Sequence, residues 1–546
     1  MVSEEKELEL KEKLEEIRIK KQEEETEELA RSKGFSYINL SKFPIAPEAL
    51  KLVPATESQR LGLVCFYATE TSAKIAATDP SASGVKRFIK EEIEGRYHLK
   101  IELFLISEHS FNTAFRLYAT LPREIKIKKG VEITPEDLKR FEEKIETFKD
   151  LNAEIQQVSI SDLLSLVLAS AIKSRASDVH IEAEERDVKI RLRIDGILIN
   201  VAQLEKSFWP KVITRIKLIS GLKINITTKP QDGSFVILLP TDRIDVRVSS
   251  LPTVYGESVV MRILLSSASR LNLEDLGLRA PDFEKLKKQI ERPNGLIITT
   301  GPTGSGKTTT LYAILNKIND PETKIITIED PIEYRLAGIN QSQIDPSKNY
   351  TFANGLRSIL RQDPDVILVG EIRDKETAEI SVQASLTGHL VFSTLHTNDA
   401  FGAIPRFFSL EVKPYLLAPA LNMILGQRLV RKICEHCKKE ITLEESLLSR
   451  VKEVLKDKLP KGPLKFYKGE GCKECQGLGY KGRIGVYEVL VMTPEFEKLI
   501  SSGQEVSEYK VRELALKQGV DTMVQDGLFK ALDGITTPEE VFRVTE

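Results

Sequence analysis

Residues 301–308 read GPTGSGKT. The pattern is G-x-x-x-x-G-K-T, and its flanks decide what it means. The run GLIITT (295–300) is short, apolar and rich in β-branched residues, which predicts a strand. TTLYAILNKI (309–318) predicts a helix. A glycine loop between a strand and a helix start is the context of a phosphate-binding loop. Glycines let backbone N–H groups turn inward around phosphate oxygens, and the helix N-terminus adds positive charge. Gly301, Pro302, Thr303, Gly304, Ser305, Gly306, Lys307, Thr308 and Thr309 are therefore the expected contacts to ATP. Lys307 would reach the outer phosphates and the Thr308 hydroxyl would hold Mg²⁺. A glycine turn that binds nothing is the bland alternative, and the flanking elements argue against it.

Hydrolysis needs more than a loop. KIITIEDPIE (324–333) reads as a strand followed by Glu329, Asp330 and Glu333. DPDVILVGEIRD (363–374) ends on Glu371 and Arg373, and GHLVFSTLHTND (388–399) on Thr394, His396 and Asp399. Short apolar strands alternating with helices predict a parallel α/β sheet, whose ligands sit at the carboxyl ends of the strands. Glu371 is expected to orient Mg²⁺ or its water, and Glu333 to polarise the attacking water. His389 and His396 are candidates for sensing the γ-phosphate. Against each role stands a plainer one: a carboxylate after a strand can cap the next helix, and a lone histidine is often only a surface or core residue.

Five cysteines are few for 546 residues, and four are paired as CEHC (Cys434, Cys437) and CKEC (Cys472, Cys475). Two C-x-x-C knuckles predict a tetrahedral Zn²⁺ site with four thiolates, in a lobe spanning 430–480. A redox pair or disulfides fit less well. His436 between two ligands is expected to be exposed, and Cys65 to be a buried small residue.

A net charge of −2 offers no general attraction to nucleic acid or anionic lipid. The longest apolar run, LLSLVLASAI, is too short to cross a bilayer, and the N-terminus lacks the apolar core of a signal peptide. The expected place is the cytoplasm, at the inner face of the membrane through partners.

The length predicts several domains. Residues 1–30 read as a charged helical tail with a thin stripe at Leu10, Leu14 and Ile17. Residues 31–120 read as a small α/β domain and 121–156 as a charged linker with helix. Residues 157–270 read as an α+β sheet domain, its first helix capped at Ser161 or Asp162. In DVKIRLRIDGILI (187–199), apolar Val188, Ile190, Leu192 and Ile194 alternate with Lys189, Arg191 and Arg193, and Asp195–Gly196 marks a hairpin turn. KPQDGSF (229–235) reads as a second turn. Arg243, Arg247 and Arg262 add to a basic face. Alternating charge usually makes a solvated face; the sharper reading sends some arginines to a phosphate held by the next domain or subunit.

The four boxes GPTGSGKT, ITIEDPIE, LRQDPDVILVGEIRD and TGHLVFSTLHTNDA together resemble the secretion ATPases of type II secretion and type IV pilus systems. The resemblance is strong over 155–546 and weak over the first 120 residues. It implies a RecA-like P-loop ATPase fold over 281–546, a zinc lobe common in assembly and secretion members but not in retraction members, and an N-terminal partner-docking domain. It implies Glu333 as catalytic glutamate, Glu371 as the second acidic motor residue, His396 in the histidine box, and Arg247 and Arg262 as phosphate-contacting arginines. It also implies a homohexamer working on an inner-membrane platform protein and an adaptor. One departure is visible: TKPQDGS stands where the family commonly has RLPQDGR, which questions any basic role at Ser234. The expected function is a ring motor for type IV pilus assembly. A type II secretion motor is the alternative, ahead of a retraction motor or a non-hydrolysing scaffold.

Overall fold

The computed structural model describes residues 4–41, 43–69, 72–94, 100–119, 130–134, 148–155, 159–239, 243–264, 272–502 and 506–546. They form two units, Met1–Lys126 and Ile127–Glu546.

In the first unit, the helix Glu4–Lys33 precedes strands β1 (Ser36–Tyr37), β2 (Leu63–Ala68), β3 (Ser72–Ala77) and β4 (Lys100–Leu105). Their order is β1-β4-β3-β2, with only β2 and β3 antiparallel. The helix corrects the expectation of a tail ending at residue 30. Leu14 and Ile17 are exposed. The second half of the helix belongs to the unit. Glu23 is buried and accepts from Ser107 Oγ at 2.5 Å, Ser110 Oγ at 3.1 Å and the Tyr37 hydroxyl at 2.5 Å. A buried carboxylate needs such donors, so the helix is held in place there. The side chain of Leu10 lies outside the described residues. Cys65 is buried, as expected.

The second unit opens with a seven-stranded sheet of β5 (Gly130–Glu132), β6 (Asp178–Ala183), β7 (Asp187–Ile194), β8 (Ile197–Glu205), β9 (Gln231–Leu238), β10 (Arg243–Thr253) and β11 (Gly256–Leu264). Its order is β5-β9-β10-β11-β6-β7-β8. The described part of 121–156 is not linker. β5 pairs with β9, and Val131, Ile133, Leu151 and Ile155 are buried in this sheet's core. Sparse apolar residues were enough because each enters a core built by other segments. The rest of that segment lies outside the described residues. The helix Ile160–Lys173 is capped by Ser159, whose side chain accepts from the Asp162 amide, and not by Ser161 or Asp162. Along β7 burial alternates strictly, with Val188, Ile190, Leu192 and Ile194 inward. Asp195 (φ 47) and Gly196 (φ 85) make the hairpin turn. QDGS, read as a turn, lies inside β9. Gly233 is there for close approach, since a Cβ would stand 2.5 Å from the Ser220 carbonyl oxygen.

The C-terminal sheet contains β12 (Gly295–Thr300), β13 (Ile325–Glu329), β14 (Asn340–Gln343), β15 (Val366–Val369), β16 (Leu390–Leu395), β17 (Leu421–Ile433) and β20 (Tyr480–Val491); β18 (Lys438–Ile441) and β19 (Phe466–Gly469) pair separately. The order is β14-β13-β15-β16-β12-β17-β20, parallel except for β20. β12, β13, β15 and β16 are buried throughout, as a parallel sheet covered on both faces requires. Leu273 and Leu276 already belong to its core, so this part begins before the expected residue 281.

Candidate nucleotide site and cysteine cluster

The loop between β12 and the helix Lys307–Ile318 is closely fitted. Gly301 (φ 142), Gly304 (φ 82) and Gly306 (φ 89) have positive φ, and a Cβ on Gly301 would stand 2.5 Å from Ser305 Oγ and 2.6 Å from the Gln427 carbonyl oxygen. Pro302, Thr303 and Gly304 are exposed, Ser305 is buried, and Lys307, Thr308 and Thr309 are half-buried at the helix start. Lys307 Nζ donates to the loop's own carbonyls, Gly301 at 2.7 Å and Pro302 at 3.1 Å. Burial lowers the Lys307 pKa; Glu371 opposes that and Arg428 adds to it. A phosphate would replace the carbonyls as a stronger, charged acceptor.

At the ends of β15 and β16 a cluster forms beside this loop. Glu371 accepts from His396 Nε2 at 3.1 Å and pairs with Arg373 through its other oxygen. Arg373 also lies 3.8 Å from Asp330, at the end of β13. Glu371 is mostly buried, while His396 and Arg373 are open to solvent. The strand polarity separates the two histidines. His396 follows β16 on the loop side, whereas His389 precedes that strand. There its Nδ1 lies 3.0 Å from the Ala384 carbonyl oxygen, at the end of the helix Lys375–Leu386. The expectation that His389 senses the γ-phosphate is therefore corrected: it stands at the opposite end of the same strand.

The three acids after β13 also separate. Glu329 is buried, where it accepts from Tyr312, Thr327 and Gln341, so its oxygens are committed to the core. Glu333 is half-buried on the following loop. That loop is touched from the antiparallel sheet: Arg247 Nη2 donates to the Ile332 carbonyl oxygen at 3.2 Å. Arg262 stands directly opposite Arg247 in the β10–β11 register, but its Nε donates to Asp178 Oδ1 at 3.0 Å. In this chain the structure brings Arg247, and not Arg262, to the Glu333 loop. One row crosses five strands in the order Arg193, Asp178, Arg262, Arg247, Ser234.

Sequence reading missed Gln427 and Arg428. Gln427 is buried at the end of the apolar run LNMILG and donates to the Ser305 carbonyl at 2.7 Å, pinning the loop from β17. A buried amide ending an apolar run was the available signal. Arg428 is half-buried beside it, its pKa lowered by burial while Glu488 and Asp399 pull the other way.

The four cysteines converge. Their Sγ atoms lie within 4.8 Å of one another, with Cys434–Cys472, Cys437–Cys475 and Cys472–Cys475 each at 3.8 Å. Tetrahedral Zn–S bonds of about 2.3 Å put sulfurs about 3.8 Å apart, so the donor set fits zinc. Amides of Gly471, Cys472 and Gly479 donate to the sulfurs of Cys437 and Cys475 at 3.1–3.3 Å, which suits thiolate charge. His436 is exposed. The insert between the knuckles does not have a core of its own: Leu443, Val451, Leu455 and Phe466 pack with Met523, Leu528, Val541 and Phe542 of the C-terminal helices.

Among the described residues no helix is long and apolar enough to cross a membrane.

Residues 153–543 match the family model described as Type II/IV secretion system protein. The type IV pilus assembly ATPase PilB of Myxococcus xanthus is 38% identical over 94% of this chain and 90% of its own length. The PilB of Thermus thermophilus is 45% identical over 72% of this chain, which spans 44% of that longer protein. The type II secretion system protein E of Pseudomonas aeruginosa is 43% identical over 75% of this chain and 80% of its own length. Among solved structures, the DotB ATPase of Yersinia pseudotuberculosis superposes with a TM-score of 0.54 at 23% identity, over 72% of this chain and 95% of DotB. The Legionella pneumophila DotB gives 0.51 at 21% identity, over 70% of this chain and 94% of that one. At such identities the likeness establishes the RecA-like ATPase fold and no more.

Proposed function

Since this chain belongs to the Type II/IV secretion system protein family, we propose that it is an ATP-hydrolysing motor that powers assembly of a type IV pilus. The observation that favours the pilus over secretion is the coverage reached by one relative. The Myxococcus pilus ATPase matches 94% of the chain, N-terminal unit included, whereas the Pseudomonas secretion protein matches 75%. Type II secretion is the second reading, because the family core is shared.

ATP supplies the phosphoryl group and Mg²⁺ the counter-charge when both are bound. Gly301 to Gly306 and Thr309 would cradle the phosphates, Lys307 would exchange its loop carbonyls for them, and Thr308 would hold the metal. Glu371, steadied by Arg373 and His396, would help to orient Mg²⁺. Glu333 polarises the attacking water, and Arg247 approaches the same loop to offset transition-state charge. Arg262, paired with Asp178, serves a phosphate only after that pair opens. Cys434, Cys437, Cys472 and Cys475 hold one Zn²⁺. The motor works as a homohexamer at the cytoplasmic face of the inner membrane, on a platform protein and an adaptor, without nucleic acid.

The test is a count of surface pili in source cells carrying Glu371→Gln at the native locus. Bald cells support pilus assembly. Normal pili with exported proteins trapped inside move the function to type II secretion, and excess pili would mean retraction.

A further inference from the structure

The antiparallel sheet meets the ATPase part at a second place, far along the chain from Arg247. Asp195 Oδ2 accepts from the Gly482 amide at 2.8 Å, and Arg483 Nε lies 3.7 Å from Asp195 Oδ1. The carboxylate is 15% exposed. Leu478 packs against the hydrophobic core of the antiparallel sheet. Leu478 and Gly479 follow the last cysteine and are braced by the cluster itself; Gly482 and Arg483 come next, in the first residues of β20, where Arg483 pairs with Arg431 of β17. The Gly479 amide donates to Cys475 Sγ at 3.2 Å, the Leu478 amide to the Cys475 carbonyl at 2.9 Å, and the Cys434 amide to the Gly479 carbonyl at 3.0 Å.

The same sheet runs from this seat to Arg247. Asp195 lies two residues beyond Arg193, which begins the row Arg193, Asp178, Arg262, Arg247 across β7, β6, β11 and β10. Asp178 ties that row, 3.7 Å from Arg193 and 3.0 Å from Arg262. Three strand spacings of about 4.8 Å put the two ends roughly 14 Å apart. The sheet is thus anchored to the ATPase part at the start of β20 and at Ile332.

The geometry points to Asp195 as a positioning residue: seated on the start of β20, next to the cysteine cluster, it sets the sheet so that Arg247 meets the Glu333 loop. The inference rests on the reading that Arg247 serves the nucleotide site. It gives the cysteine cluster a task in hydrolysis, carried by Leu478 and Gly482 at a distance from the phosphates.

The test uses hydrogen exchange and steady-state ATP turnover on the full-length protein. Asp195→Gly removes the carboxylate without straining a backbone at φ 47; Asp195→Asn keeps an acceptor for Gly482 and tolerates the same φ. Loss of a charge-assisted hydrogen bond speeds exchange of the 478–484 segment by about tenfold. In Asp195→Gly, kcat falls while KM for ATP stays within about twofold, and zinc remains one per chain by metal analysis. Asp195→Asn restores both exchange and kcat, and stripping zinc from the wild type exposes residues 194–197 to exchange. Unchanged exchange in Asp195→Gly overturns the seat, and raised exchange with undiminished kcat overturns the positioning role. Full turnover in Arg247→Ala would instead remove the nucleotide-site reading, with the exchange result still standing.

Discussion

Arg247 Nη2 donates to the carbonyl oxygen of Ile332 at 3.2 Å. A guanidinium of the antiparallel sheet therefore ends one residue short of Glu333, although 85 residues separate the two partners. Arg247→Ala is expected to lower kcat by roughly 10²-fold or more, with a far smaller change in nucleotide affinity. Arg247→Lys should not recover it, since an ammonium cannot copy the planar fork. Steady-state turnover beside nucleotide titration measures both.

Lys307 lies folded onto the Gly301 and Pro302 carbonyls. Lys307→Ala should reduce turnover to background while leaving the thermal unfolding midpoint close to that of the wild type, because the lost bonds are exposed or half-buried. Normal turnover would remove the loop from the reaction.

His396 touches Glu371, and His389 sits at the other end of β16. His396→Ala is expected to cost about tenfold or more in kcat, and His389→Ala less than about twofold. Equal losses in the two variants would contradict the strand-polarity argument.

The cysteine cluster predicts one Zn²⁺ per chain. Cys475→Ser should abolish stoichiometric metal and destabilise the C-terminal helices, because the insert shares their core. Metal analysis and thermal melts with and without chelator test this; a chelator-indifferent melt would count against a structural zinc.

Burial raises Glu488 to about 7, against the pull of the Met523 and Ala400 amides. Between its usual value of 4.5 and 7 the folded chain binds the extra proton. This contribution is complete below 4.5 and is lost as pH climbs to about 7, a difference on the order of 3 kcal/mol. Glu488→Gln carries no such charge, so its melting midpoint relative to wild type should rise from pH 5 to pH 8. Parallel curves would show that Glu488 does not titrate in that window.

What was legible from the chain was local. The loop's glycines, the paired cysteines and the alternation of Val188, Ile190, Leu192 and Ile194 are short-range patterns, each with one satisfactory geometry. Errors arose where a local pattern had two uses. QDGS resembles a turn, yet Gly233 is small because Ser220 crowds it. Residues 130–155 look too polar for a core, yet Val131, Ile133, Leu151 and Ile155 enter one made elsewhere. His389 and His396 differ only in which end of a strand they flank.

From residues alone came the phosphate loop, the four-cysteine cluster and the alternating strands, because backbone freedom, ligand spacing and side-chain period act within a few positions of the chain. The folded structure alone decided that Arg247 reaches the Glu333 loop while Arg262 turns to Asp178, that Gln427 pins the loop through Ser305, and that Asp195 seats on Gly482 of β20. Those pairings depend on strand register and on how two sheets abut, and a shift of one residue in either would send each side chain to the opposite face.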